Sequence, residues 1–176
     1  MLNIYLNTWG NYNENGADGG EWITLPMDAD ELTETMDRVA AAMGDNDPEW
    51  FVNDYEWTTE IEPREIGEME NITELNEWID ELSSMDEWDQ KEIAAAMEAW
   101  GYSFAEAMDK QQRGCFTFYA DIDLQELAYE LADEEIACYT ADGKAPSFLT
   151  RYFDYEAFAR DLAFDYEETS YGVICQ

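Results

Sequence analysis

The stretch TELNEWIDELSSMDEW, residues 73–88, holds six carboxylates, Glu74, Glu77, Asp80, Glu81, Asp86 and Glu87, and no cation. Carboxylates at this density can ligate a hard cation, share a proton as general acid and base, or present bare negative charge to a basic partner. The first two have little support. DNDPEW (45–50) and DIDLQE (121–126) alternate acids, but neither continues to the glycine and distal glutamate of an EF-hand loop. With 43 Asp and Glu in the chain, paired carboxylates occur by chance. The chain has no histidine, so serine or cysteine nucleophiles lack their usual base. GADGGEW (16–22) lacks the lysine and following helix of a phosphate loop. No catalytic residue, metal ligand or cofactor is expected, which leaves charge presented for its own sake.

Those acids sit on an element that must fold. Leu75, Trp78, Ile79, Leu82 and Met85 recur at spacings of three and four, the buried stripe of an amphipathic helix. Asn71 is placed to cap it, with Glu74 three residues on completing a variant capping box. The outer face then holds only like charges, at a few tenths of a kcal/mol per pair one turn apart.

The whole chain repeats this pattern. Its 176 residues carry a formal charge of −35, with 43 acidic residues against 8 basic ones. Acids interleave with apolar residues throughout and form no acidic tail. Hydrophobic residues make up 46%, with 7 Trp, 11 Tyr and 8 Phe, more aromatics than a disordered acidic chain carries. This is a folded acidic protein. Its surface should avoid nucleic acid and anionic membrane and seek basic partners. The start lacks a basic segment followed by an apolar run, and no stretch nears a membrane span, so a cytoplasmic protein is expected. Cys115, Cys138 and Cys175 are odd in number and show no CxxC spacing, and read as small core residues.

Periodicity gives an α+β fold in three small domains. In residues 1–60, LNIYL and EWITLP are strands joined by a Gly- and Asn-rich loop. DADELTETMDRVAAAMG follows as a helix, with Asp28 as cap and Gly44 as stop, and FVNDYEW returns as a strand. Residues 61–112 are helical: the opening stretch, then a helix ended by Gly101, then one with Ser103 and Glu106 as capping box and Gly114 as stop. In residues 113–176, CFTFYA is a strand and DLQELAYELADEE a helix. SFLTRYFDYEAFARDL forms one or two short helices, and YGVICQ closes as a strand. Trp78, Trp88 and Trp100 at helical spacing read as core, with a partner-facing anchor as the alternative. Arg151 and Arg160 read as paired locally with Asp154, Glu156 or Asp161.

Three explanations compete for the charge: a halophile-type surface, a cation buffer or acidic module for basic clients, and imitation of nucleic acid phosphate. Duplex DNA carries one charge per roughly 1.7 Å of axis, so this charge matches about 60 Å, or about 18 base pairs. That length fits an elongated protein of this size and does not choose among the three.

LNTWGNYNENG…GEWITLP, FVNDYEW, ITELNEW and above all DGKAPSFLTRYFDYEAFARDL resemble, in order and nearly end to end, the ArdA antirestriction family. The resemblance implies an elongated, three-domain DNA mimic carried by a mobile element in the cytoplasm of a bacterial host. It implies a homodimer that occupies the DNA groove of type I restriction–modification enzymes at the methyltransferase core, without catalysis or direct nucleic acid binding. It places the antirestriction motif at Tyr152, Phe153, Asp154, Tyr155, Phe158, Ala159, Arg160, Asp161 and Leu162. Arg151 joins these residues in the expected dimer region, where the two arginines would offset repulsion between anionic subunits. Glu74, Glu77, Asp80, Glu81, Asp86 and Glu87 are the candidate phosphate equivalents. Without mimicry, the chain is an acidic interaction module of the halophile or cation-binding kind.

Overall fold

A computed structural model describes residues 1–138 and 146–176. Packing divides the chain into two compact units, Met1–Gln90 and Lys91–Gln176.

In the first unit, β1 (Leu2–Thr8) lies between β2 (Glu21–Leu25) and β3 (Trp50–Trp57), antiparallel to both. Alternation sends Leu2, Ile4 and Leu6 inward with Ile23, Leu25 and Val52. Helix α2 (Ala29–Met43) contributes Leu32 to that core, and α3 (Ile72–Ser83) contributes Ile72, Leu75 and Ile79. The helix expected to begin the central region therefore shares the core of the N-terminal sheet. A polar clamp reinforces the join: buried Asn76 accepts from the Met27 backbone N–H at 2.8 Å and donates to the Met27 carbonyl at 2.9 Å. One amide thus does the work of a peptide group in a strand pair.

The expected cap of α3 is present, since Asn71 Oδ1 accepts from the N–H groups of Thr73 and Glu74. The amide of Asn71 also donates to Glu74 Oε1 at 2.9 Å. Two local expectations need correction. The Asn- and Gly-rich segment after β1 holds a short helix, α1 (Trp9–Asn15), because the Thr8 hydroxyl accepts from Asn11 N–H and Gly16 ends the turn. Asp28 occupies the N-cap position of α2, but its side chain makes no capping bond.

In the second unit, α4 (Glu87–Trp100), whose first turn lies in the N-terminal unit, leads into α5 (Phe104–Gln112). Helix α5 carries the full Ser103–Glu106 capping box. β4 (Thr117–Ala120), β5 (Glu167–Thr169) and β6 (Gly172–Cys175) form an antiparallel sheet in the order β4–β6–β5. Three-residue β5 had no periodic signal to betray it. The close pairing of β4 and β6 requires Gly172: its φ is 139°, and a β-carbon there would run into the Tyr119 carbonyl oxygen. Helix α6 (Leu124–Cys138) packs against α8 (Tyr155–Leu162), which follows α7 (Ser147–Tyr152). Among the described residues no helix is long and apolar enough to cross a membrane.

The cysteines are not core residues. Cys115 and Cys138 are exposed, Cys175 is half-buried, and all three are free. Trp78 is half-buried against Trp57, Trp100 stacks on Phe116 at 5.5 Å, and Trp88 is exposed. The tryptophan stripe is thus only partly internal.

Candidate functional site

Secondary structure sorts the charge. Among the described residues every Asp and Glu is exposed except half-buried Glu21, Asp45, Glu70 and Asp89 and buried Glu92, whose carboxylate accepts from Gln111 Nε2 at 2.8 Å. All six candidate phosphate equivalents are exposed. On α3, Glu77, Asp80 and Glu81 face water and form no ion pair among the described residues, while the opposite side of the same helix fills the core. Among the described residues no cluster of His, Cys, Asp and Glu could hold a metal ion.

Most described cations are already committed. Arg38 grips Glu21 with both guanidinium nitrogens at 2.7 Å. This bond holds the Glu21 carboxyl below its ordinary range. Arg64 holds Glu70 at 2.6 and 3.0 Å and lies over the Trp78 ring. The Glu70 carboxyl is lowered chiefly by that bond, with help from the Gly67 N–H and against partial desolvation. Lys91 pairs with Asp121 at 2.8 Å and Arg113 with Asp109 at 2.9 Å, and Lys110 lies over Tyr102.

Arg151 and Arg160 differ. Both are exposed, and neither forms an ion pair among the described residues, so the expected local pairing with Asp154, Glu156 or Asp161 is absent. Asp154 is occupied otherwise: it caps α8 by accepting from Ala157 N–H at 2.9 Å. Glu156 and Asp161 are exposed.

The expected motif residues divide between holding α8 and facing solvent. Ala159 is buried, and Phe158 and Leu162 are half-buried. The Tyr155 hydroxyl donates to Asp133 on α6 at 2.7 Å, and its ring lies tilted against Tyr129 and edge-on to Phe153. Partial burial, then the bond to the Asp133 carboxylate and its charge, push the Tyr155 phenol up to about 12. Tyr152 is 82% exposed and Phe153 37%. Phe148, Leu149 and Phe164 extend the exposed apolar set beyond the motif. No sequence period marks those three. The DGKA that opens the quoted stretch lies, at residues 142–145, outside the described residues.

A family model of the antirestriction protein ArdA matches residues 4–175 of the 176. The chain belongs to the ArdA antirestriction family. No curated protein matches it. Family membership covers both units, so the exposed acids and the aromatic α7–α8 segment fall within one antirestriction protein.

Proposed function

We propose that this ArdA-family protein imitates the phosphate charge of duplex DNA and blocks the DNA groove of type I restriction–modification enzymes at the methyltransferase core. Inhibition is by occupancy, without catalysis, and protects incoming mobile-element DNA in the cytoplasm of a bacterial host. The observation that carries this reading is α3: a helix fixed by a complete apolar face and cap, whose exposed Glu77, Asp80 and Glu81 recruit no cation. A basic neighbour would add stability. It would also erase the charge that a DNA-binding groove attracts. The test is displacement of labelled duplex from the enzyme. Simultaneous binding of duplex and protein at one site would exclude the mechanism.

Homodimerisation through the C-terminal region belongs to the same proposal. Tyr152, Phe148 and Leu149 offer exposed apolar area, and Arg151 and Arg160 offer cations that no described carboxylate claims. An elongated three-domain arrangement is proposed with it. Sedimentation and small-angle scattering at micromolar concentration test both, and a compact monomer would exclude them.

A further inference from the structure

The N-terminal sheet is covered on one face by the core to which α2 and α3 contribute. On its other face α1 covers one end, where Trp9 and Tyr12 lie against buried Phe51, and the part around Tyr5 is open. Strand register builds two cross-strand rows there. Trp22, Tyr5 and Asp54 stand side by side, and Thr24, Asn3 and Glu56 form the next row. Trp22, Thr24, Asp54 and Glu56 are exposed, and Tyr5 and Asn3 are half-buried.

This face is rigid at its aromatic centre. The Tyr5 hydroxyl donates to the Ala17 carbonyl at 3.1 Å. The turn before β2 closes over the Tyr5 ring at Gly20, where a β-carbon would lie 2.7 Å from the ring. Trp22 then rests tilted on Tyr5, centroids 5.4 Å apart, and stays 49% exposed. A large indole fixed in place and left half in water is the form of a binding hot spot, because little side-chain freedom remains to be lost on docking.

The chemistry of the rows selects the occupant. An indole face attracts a cation, and a carboxylate bonds a guanidinium in bidentate fashion; arginine is the side chain that uses both. We propose that this open part of the sheet face is a specific docking surface for arginine side chains of the basic groove. One guanidinium stacks on Trp22, and others bond to Asp54 and Glu56. The inference rests on the proposed groove-blocking function and adds a discrete anchor to an otherwise distributed attraction.

The test measures displacement of labelled duplex from a type I methyltransferase core by four proteins: wild type, Trp22→Ala, Trp22→Phe and Asp54→Asn/Glu56→Gln. Exposed Met69→Ala serves as control, and circular dichroism confirms the fold of each. Trp22→Ala is expected to weaken competition about tenfold, with Trp22→Phe recovering most of the loss. The double amide variant is expected to weaken competition and flatten its salt dependence. Trp22→Ala competing as well as wild type would overturn the inference while leaving groove blocking intact. Wild type failing to displace duplex would overturn groove blocking, and this surface with it. Loss of self-association in Trp22→Ala would assign the face to a second copy and also overturn the inference.

Discussion

Helices α3 and α8 carry the same ingredients, carboxylates and aromatic or aliphatic side chains at helical spacing, and use them in opposite ways. α3 buries Ile72, Leu75, Asn76, Ile79 and Leu82 and shows solvent mainly charge. α8 buries only Ala159, and the neighbouring α7 leaves Phe148, Leu149, Arg151 and Tyr152 in water. The first is a finished surface whose aliphatic side chains are buried and whose Trp78 is half-buried. The second keeps apolar area and cations outside, which is costly for a lone subunit and useful to one that meets a partner. The contrast separates a region suited to the proposed enzyme partner from one suited to the proposed self-association.

The sharpest way to break this contrast is to empty the inner face of α3. Leu75→Ala or Ile79→Ala should cost about 2–5 kcal/mol in urea unfolding, because both side chains are fully packed. A loss below about 1 kcal/mol would show that the helix is not held by its core. Next is Tyr152→Glu on the outer side of α7. Sedimentation should show a dimer weakened at least about tenfold, with the melting of the secondary structure hardly changed. Unchanged association would remove Tyr152 from the interface.

Smaller effects sharpen the comparison. Glu70 is depressed in the folded state by Arg64, so the fold binds fewer protons there than the unfolded chain. Its stabilisation is complete above the ordinary value of 4.5 and is lost as pH falls through the lowered folded value. Glu70→Gln should therefore melt a few degrees below wild type at neutral pH, and the gap should close as pH falls through the lowered folded value. A constant gap would assign the effect to packing. Tyr155 runs the other way: its raised phenol favours the fold up to about pH 10, an advantage lost as pH rises through about 12.

The smallest effect is that of one exposed acid. Glu77→Gln should change stability and enzyme binding by no more than a few tenths of a kcal/mol, whereas neutralising a dozen acids should weaken inhibition progressively. Two carboxylates 6 Å apart repel by about 0.7 kcal/mol in water, and salt screens this. Added monovalent salt should therefore raise the melting temperature while lowering affinity for the enzyme. A halophile-type surface would show the first response only.

The legibility of the two helices differed for the same reason. α3 could be read residue by residue because its cap, stripe and acids are local features with a helical period. The capping box of α5 was legible likewise. α1 was hidden because Asn and Gly signal a turn by composition, while its stability rests on the Thr8 cap and a ladder in which Asn11 donates to Asn7 and Asn15 to Asn11. What surrounds a side chain in space leaves no period. The exposure of Cys115, the absence of an ion pair at Arg151 and Arg160 among the described residues, and the open face around Trp22 all depend on strands and helices distant in sequence.

The Asn76 clamp sets a limit on chemical ageing. Loss of the side-chain amide by deamidation would exchange one nitrogen for oxygen and convert the donor facing the Met27 carbonyl into a second acceptor. The new carboxylate would be buried against lone pairs, with its proton the only remedy, and the join between α3 and the end of β2 would open. A protein that carries 43 acids, nearly all in water, has at position 76 a place that cannot take another.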